Sequence, residues 1–308
     1  MMNNLNNETM KELTEETDSE YGNRIKYYNK VYQGDSAKLM KEIPNNFIDL
    51  TVTSPPYDNL REYKGYSFDF ETIARELYRT TKKGGIVVWV VGDATINGSE
   101  TGTSFRQALY FMNVGFNLHD TMIYAKENYL PDGIINRYCN GFEYMFVFSK
   151  GKPKTFNFLT IKSVFGGKTL HRTNSKHSHS SRYKEYHKPI AEEKKKSNIW
   201  FYKIGTNCST KDRFTNEHPA IFPEALAKDH ILSWSNEKDL VFDPFAGSGT
   251  TLKMAKLMNR NYLGFEIAEE YIALINKRIA QETVGNFFPA ENIIAVSEKT
   301  AITDNNLK

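Results

Sequence analysis

The chain is poor in cysteine, with only Cys139 and Cys208 among 308 residues. Two thiols cannot make a disulfide framework, and neither stands at metal-ligand spacing. Both are expected to pack as small hydrophobes in a reducing compartment. Long apolar runs are also missing. The longest, Ile86–Val91, has six residues, against the roughly 20 a membrane-spanning helix needs. The opening residues are rich in Asn and Glu, without the basic-then-apolar pattern of a secretion signal, so a cytoplasmic location and no membrane partner are expected. There is little charge of one sign: the formal net charge is +3.

The distribution of charge says more. Gly151–Thr215 holds 15 Lys or Arg against 4 Asp or Glu, and the rest of the chain is net acidic. A basic block inside an acidic protein fits a polyanion partner, and it equally fits a solvated lysine-rich insertion. Four of the seven histidines fall in this block (His171, His177, His179 and His187), but their spacings match no familiar zinc pattern. No metal site is expected.

Either side of the block, strand-like and helix-like segments alternate. A short strand ending at Gln33 precedes a helix over Ser36–Ile43 and a strand over Ile48–Thr53. Helical spacing covers Phe70–Thr80, with Gly84-Gly85 expected to end that helix before the strand Ile86–Val91. A helix over Ser104–Val114 and strands over Gly115–Tyr124 and Glu143–Ser149 follow. After the block come a helix over Glu224–Leu232, a strand over Leu240–Phe242, a helix near Thr250–Met258, a strand over Tyr262–Phe265 and a helix over Glu269–Ile279. This rhythm predicts an α/β fold, a Rossmann-like mixed and mostly parallel sheet with helices on both faces. Residues 25–150 and 216–281 would form the core, 151–215 an inserted region, 1–24 a poorly ordered arm or short peripheral helix, and 282–308 a tail.

Within Asp239–Glu266 a strand, a glycine turn, a helix and a second strand end on an acid. Gly247 and Gly249 allow a tight turn and close approach of a ligand to the backbone. Glu266 follows at the distance where a carboxylate can reach a ribose diol. Leu252 stands where a dinucleotide fingerprint has its third glycine, and no Walker lysine follows Gly249. The turn therefore suits a nucleoside without phosphates, such as S-adenosyl-L-methionine, although Gly-x-Gly can also be an ordinary turn. The second motif is Thr53-Ser54-Pro55-Pro56-Tyr57, at the carboxyl end of a predicted strand. Two prolines fix φ twice and remove two donors, leaving carbonyl acceptors beside a hydroxyl and a planar ring. That set can hold an aromatic amine; by itself, Pro-Pro is more commonly a loop stiffener.

Taken together, TSPPY followed far downstream by DPFAGSGTT resembles the β group of amino-methylating DNA methyltransferases, in which the catalytic motif, a target-recognition region and the cofactor motif come in that order. The resemblance covers roughly residues 27–281, including Gly34–Ser36, Gly84–Asp93 and His218–Leu226; Glu127 departs from it, since members often have proline there. It implies Ser54, Pro55, Pro56 and Tyr57 as catalytic residues. Asp35, His218, Phe222, Asp243, Pro244, Phe245, Gly247, Gly249, Thr250 and Glu266 would bind the cofactor. Asp35 and His218 could instead be capping or loop residues, and Phe245 a core side chain. Tyr57 would stack on a base rotated out of the duplex, which costs a few kcal/mol, while the Ser54 hydroxyl and Pro55 carbonyl accept from its amino group. The cysteine route to carbon-5 methylation is excluded, because neither cysteine follows a proline. Serine before Pro-Pro-Tyr favours N4 of cytosine over N6 of adenine. The implied partner is double-stranded DNA, read by Gly151–Thr215 through residues such as Arg172, Asn174, Arg182, Lys184 and Asn198. The resemblance admits a cognate restriction endonuclease and either a monomer or a homodimer. Rival readings are amide methylation, RNA methylation, and a non-catalytic nucleic-acid-binding protein with a vestigial cofactor site.

Overall fold

The computed structural model describes residues 19–56, 68–129, 131, 136–172, 186–205, 208–210, 212 and 223–280. Among these the chain divides into two compact units, one running to Phe156 and resuming at Asn198, the other Asn157–Ser197.

The first unit is built on an eight-stranded sheet. Its strands are β1 (Lys30–Gln33), β2 (Ile48–Thr53), β3 (Thr81–Val91), β6 (Asn117–Lys126), β7 (Phe142–Ser149), β12 (Ile199–Tyr202), β13 (Leu240–Asp243) and β14 (Asn261–Glu266). They lie in the order β1-β14-β13-β2-β3-β7-β6-β12. All neighbours pair in parallel except those of β7, which runs against β3 and β6. A hairpin of β4 (Thr95–Ile96) and β5 (Ser99–Glu100) turns through Asn97 and Gly98, both at positive φ.

Both faces of the sheet are covered. In β3, Val87, Trp89 and Val91 enter one core with Ile73, Ala74 and Leu77 of α3 (Phe70–Thr80) and Ala108 and Phe111 of α4 (Thr103–Val114). The alternate residues Ile86, Val88 and Val90 are as deeply buried and must face the other way, since strand side chains alternate. On that side lie α5 (Glu224–Trp234), α6 (Thr250–Leu257) and α7 (Glu269–Ile279), of which α6 packs on β13 and β14. Burial on both faces is why β3 reads as an unbroken apolar run.

Several boundaries differ from those expected. The segment 36–43 splits into a helix α2 (Ser36–Leu39) and a 3-10 turn (Met40–Glu42). Gly84-Gly85 does not end α3. The Thr80 and Thr81 hydroxyls donate to the Glu76 and Leu77 carbonyls at 2.8 and 2.6 Å, and the chain turns extended at Thr81. The two glycines lie inside β3, where its register against β2 shifts. A Cβ on Gly84 would come 2.8 Å from the Lys154 side chain. A helix α1 over residues 19–27 crosses the expected arm boundary, and Tyr27 from it is buried in the core. Cys208 is exposed and Cys139 half-buried, so neither packs as a fully buried hydrophobe; Cys208 sits in a short turn after Gly205 rather than under a helix. Residues 1–18 and the tail 282–308 lie outside the described residues.

The second unit is narrower than the expected inserted region. Its strands β8 (Thr160–Lys162) and β11 (Glu193–Lys195) form one antiparallel pair, and β9 (Thr169–Arg172) and β10 (Tyr186–Pro189) another. The chain from Asn198 returns to the large sheet, where β12 pairs with β6.

Candidate active site at the carboxyl edge of the sheet

From β2 the chain passes through α3 to β3, on one side of β2. From β13 it passes through α6 to β14, on the other. β2 and β13 are themselves neighbours, with Leu50 opposite Val241 and Thr51 opposite Phe242. Their carboxyl ends therefore flank a topological switch point, the place where open α/β sheets bind ligands. Segments 190 residues apart are joined there: the Thr53 hydroxyl donates to Asp243 Oδ1 at 2.7 Å. One turn into α6, the Thr251 hydroxyl donates to the Val52 carbonyl at 3.1 Å.

This clamp holds Ser54, Pro55 and Pro56 beside Asp243. Pro55 is buried, and Ser54 and Pro56 are half-buried. Tyr57 lies outside the described residues, as do His218 and Phe222. Asp243 also accepts the Phe245 N–H at 3.0 Å. Complete burial pushes its carboxyl up to about 6, against the opposing pull of its hydrogen bonds from Thr53 and Phe245.

After β13, Gly247 and Gly249 adopt φ of +52° and +81°, a left-handed conformation that side chains disfavour. The Gly247 N–H donates to Glu266 Oε2 at 2.7 Å, and Glu266 Oε1 accepts the Ala268 N–H at 2.9 Å. Burial raises the Glu266 carboxyl above its ordinary range, and those N–H groups hold it down. Leu252, where a dinucleotide fingerprint has glycine, packs instead onto a glycine of the strand. A Cβ on Gly264 would come 2.3 Å from Leu252 Cδ1. The close helix–strand approach is kept with the small residue on the other partner, and the GF in NYLGFE was the signal for it.

β1 closes the row. The Gly34 N–H donates to the Glu266 carbonyl at 2.9 Å, and the Ser36 hydroxyl donates to the Pro244 carbonyl. Asp35 caps α2 through the Ala37 N–H at 2.9 Å, while its other oxygen stands 3.9 Å from Lys38 Nζ. Phe245 packs edge-on against Phe68 and Trp89, with centroids 5.4 and 6.3 Å apart, so it contributes to the core and keeps one side partly exposed. Thr250 opens α6 and is buried. The structure thus brings Asp35, Ser54, Pro55, Pro56, Asp243, Pro244, Phe245, Gly247, Gly249, Thr250 and Glu266 to one edge. The donor set fits a nucleoside bearing positive charge. Carboxylates Asp35, Asp243 and Glu266 line the edge, and the glycine turn leaves room that a Cβ would take.

Sequence reasoning missed a buried charged group behind this turn. Arg278 of α7 has no exposed surface. Its Nη1 donates to the Ser248 carbonyl and hydroxyl, both at 2.9 Å, and to the Thr250 hydroxyl at 3.0 Å. The signal was available: Arg278 falls three residues after Ile275 and beside Ile279, on the helix's buried stripe.

Fold and edge together define a class, the Rossmann-like methyltransferases that hold an adenosyl cofactor at the switch point. Residues 48–277 match the family model described as DNA methylase, and the chain belongs to that family. It is 56% identical over 245 residues to the orphan methyltransferase M.BamHII of Bacillus amyloliquefaciens, covering 78% of this chain and 92% of the relative. It is 26% identical to the type II methyltransferase M.SmaI of Serratia marcescens, covering 81% and 90%. Among solved structures, the cytosine-N4-specific PvuII DNA methyltransferase superposes with a TM-score of 0.61 at 22% identity, covering 84% of this chain and 88% of that one. The DNA modification methylase TTHA0409 of Thermus thermophilus, solved with S-adenosyl-L-methionine, superposes with a TM-score of 0.55 at 25% identity, covering 83% and 95%.

Proposed function

We propose that this DNA methyltransferase transfers a methyl group from S-adenosyl-L-methionine to the exocyclic N4 of cytosine in double-stranded DNA. The observation that supports it most is the 2.7 Å hydrogen bond from Thr53 to Asp243, because it sets the amine-holding motif against the cofactor turn. S-Adenosyl-L-methionine, when bound, supplies an electrophilic methyl on a sulfonium. Glu266 and Asp35 accept from its hydroxyls, the Asp243–Thr250 turn lines it, and His218 and Phe222 wall its methionine side. Ser54 and the Pro55 carbonyl accept the two N–H bonds of the target amine, and Tyr57 stacks on the extruded ring. Two fixed acceptors orient the nitrogen lone pair before reaction, and such positioning is a large source of rate in a direct displacement. A neutral serine at position 54, where adenine-modifying members of the resembled group carry aspartate, favours cytosine.

Residues 157–197, with the flanking basic positions, read the sequence and hold the phosphates. No nuclease partner belongs to this reading, in keeping with the relative's designation as an orphan methyltransferase. The test is expression in a host without DNA methylation, followed by mass spectrometry of the nucleosides. N4-methylcytosine is the expected product; N6-methyladenine overturns the choice of base, and neither product overturns the activity.

A further inference from the structure

Behind the glycine turn, four charged side chains from separate segments are buried together. Arg278 Nε stands 3.0 Å from Asp212 Oδ2, and Nη2 stands 2.6 Å from Glu224 Oε1. Lys253 of α6 bridges the same two carboxylates at 2.7 and 2.8 Å. The Thr210 hydroxyl adds a donor to Glu224 Oε1 at 2.8 Å. Two cations against two anions leave the group formally neutral. Burying such ions still costs several kcal/mol each before they are paired, and apolar side chains would hold three helices together as well. What apolar side chains could not do is donate to the turn itself. Arg278 spends its remaining nitrogen on Ser248, the residue between the two left-handed glycines, and on Thr250. The planar fork of a guanidinium can serve carboxylates and a carbonyl at once, whereas an ammonium acts as a point charge.

We propose that Arg278 is a positioning residue for the cofactor. Held by Ser248, the turn keeps the Gly247 N–H on Glu266 Oε2, which fixes the carboxylate that meets the ribose. The inference rests on reading the Gly247–Gly249 turn as the cofactor site, and the experiment separates the two. In Arg278→Lys the charge balance survives and the hold on Ser248 is lost. The full-length variant is expected to unfold within a few degrees of the parent without cofactor. Its calorimetric Kd and its KM for S-adenosyl-L-methionine should rise about tenfold, a loss near 1.4 kcal/mol, with kcat at saturating cofactor and KM for DNA unchanged. An unchanged Kd overturns the proposal, as does activity that falls only with the folded fraction. If Arg278→Lys does not fold, Ser248→Ala carries the test: it removes one acceptor and should raise Kd about threefold, and no change overturns the proposal. Glu266→Ala is the separate arm. Unaltered cofactor binding in that variant would break the site reading itself, whatever Arg278 does.

Discussion

The carboxyl edge of the large sheet and the unit Asn157–Ser197 solve different problems with opposite means. At the edge, β2 and β3 run for six and eleven residues, the polar side chains Thr53, Asp243 and Glu266 are buried, and each has a named partner. In the second unit, strands have three or four residues. Glu193, Lys194 and Lys195 of β11 are all exposed, and Val164 and Phe165 are 79% and 59% exposed. Displacement at a single nitrogen demands placement to a fraction of an ångström, which a doubly covered parallel sheet provides. Meeting a long polyanion demands charge and reach, which short strands and turns provide. Separating the two lets one catalytic edge serve different recognition surfaces.

The contrast breaks most sharply at Ser54. Replacing it by alanine removes one acceptor of the target amine and should lower kcat about a hundredfold or more, with the melting temperature and cofactor Kd unchanged; full activity would remove the motif from the chemistry. Glu266→Ala comes next. It strips a buried acceptor from the ribose and the partner of the Gly247 N–H, and calorimetry should show cofactor binding weaker by about 10- to 100-fold.

Much of this edge was legible because the relevant physics is local. Pro55-Pro56 and Gly247-x-Gly249 declare their backbone geometry whatever surrounds them, and β2, α3 and α7 have the limits their periodicity implies. Contacts between distant segments were not legible. Nothing at Thr53 says that its hydroxyl will meet Asp243, and Gly264 explains Leu252 only once β14 lies under α6. Gly84-Gly85 misled for the same reason: a glycine pair in sequence looks like a helix stop, whereas here it serves a strand irregularity beside Lys154. In the basic block, composition pointed to a partner but could not show that Ile199–Tyr202 belongs to the large sheet, because its aromatic residues suit an edge strand and a loop equally well.

Asp243 sharpens the comparison through pH. Its folded carboxyl titrates at about 6, against an ordinary 3.8. Between those values the folded state binds the extra proton, so stability falls as pH rises through that window and stays lower above it. The shift bounds the cost at about 3 kcal/mol. An amide oxygen can still accept from Thr53 and Phe245, so Asp243→Asn without cofactor should be about 1–2 kcal/mol more stable than the parent at pH 8, with the gain gone at pH 4.5. Urea titrations at the two pH values measure it, and a variant less stable at pH 8 would mean the carboxylate's charge is compensated in the fold.

The smallest effects lie in the second unit, where single contacts are worth little but their kind can be read. The Lys168 ammonium sits 5.5 Å from the centroid of the Phe165 ring, at a turn closed by the Gly166 N–H on the Ser163 carbonyl at 3.1 Å. If Lys168 faces a phosphate, Lys168→Ala should weaken DNA binding two- to threefold at physiological salt and reduce the slope of log K against log salt by about 1. Phe165→Ala should weaken binding by a similar factor with the slope intact, since an apolar contact releases no counterions. Fluorescence anisotropy on one duplex at four salt concentrations distinguishes them. Parallel lines for the parent and Lys168→Ala would move the phosphate contacts elsewhere on the chain, because a neutralised phosphate cannot be lost without a change in slope.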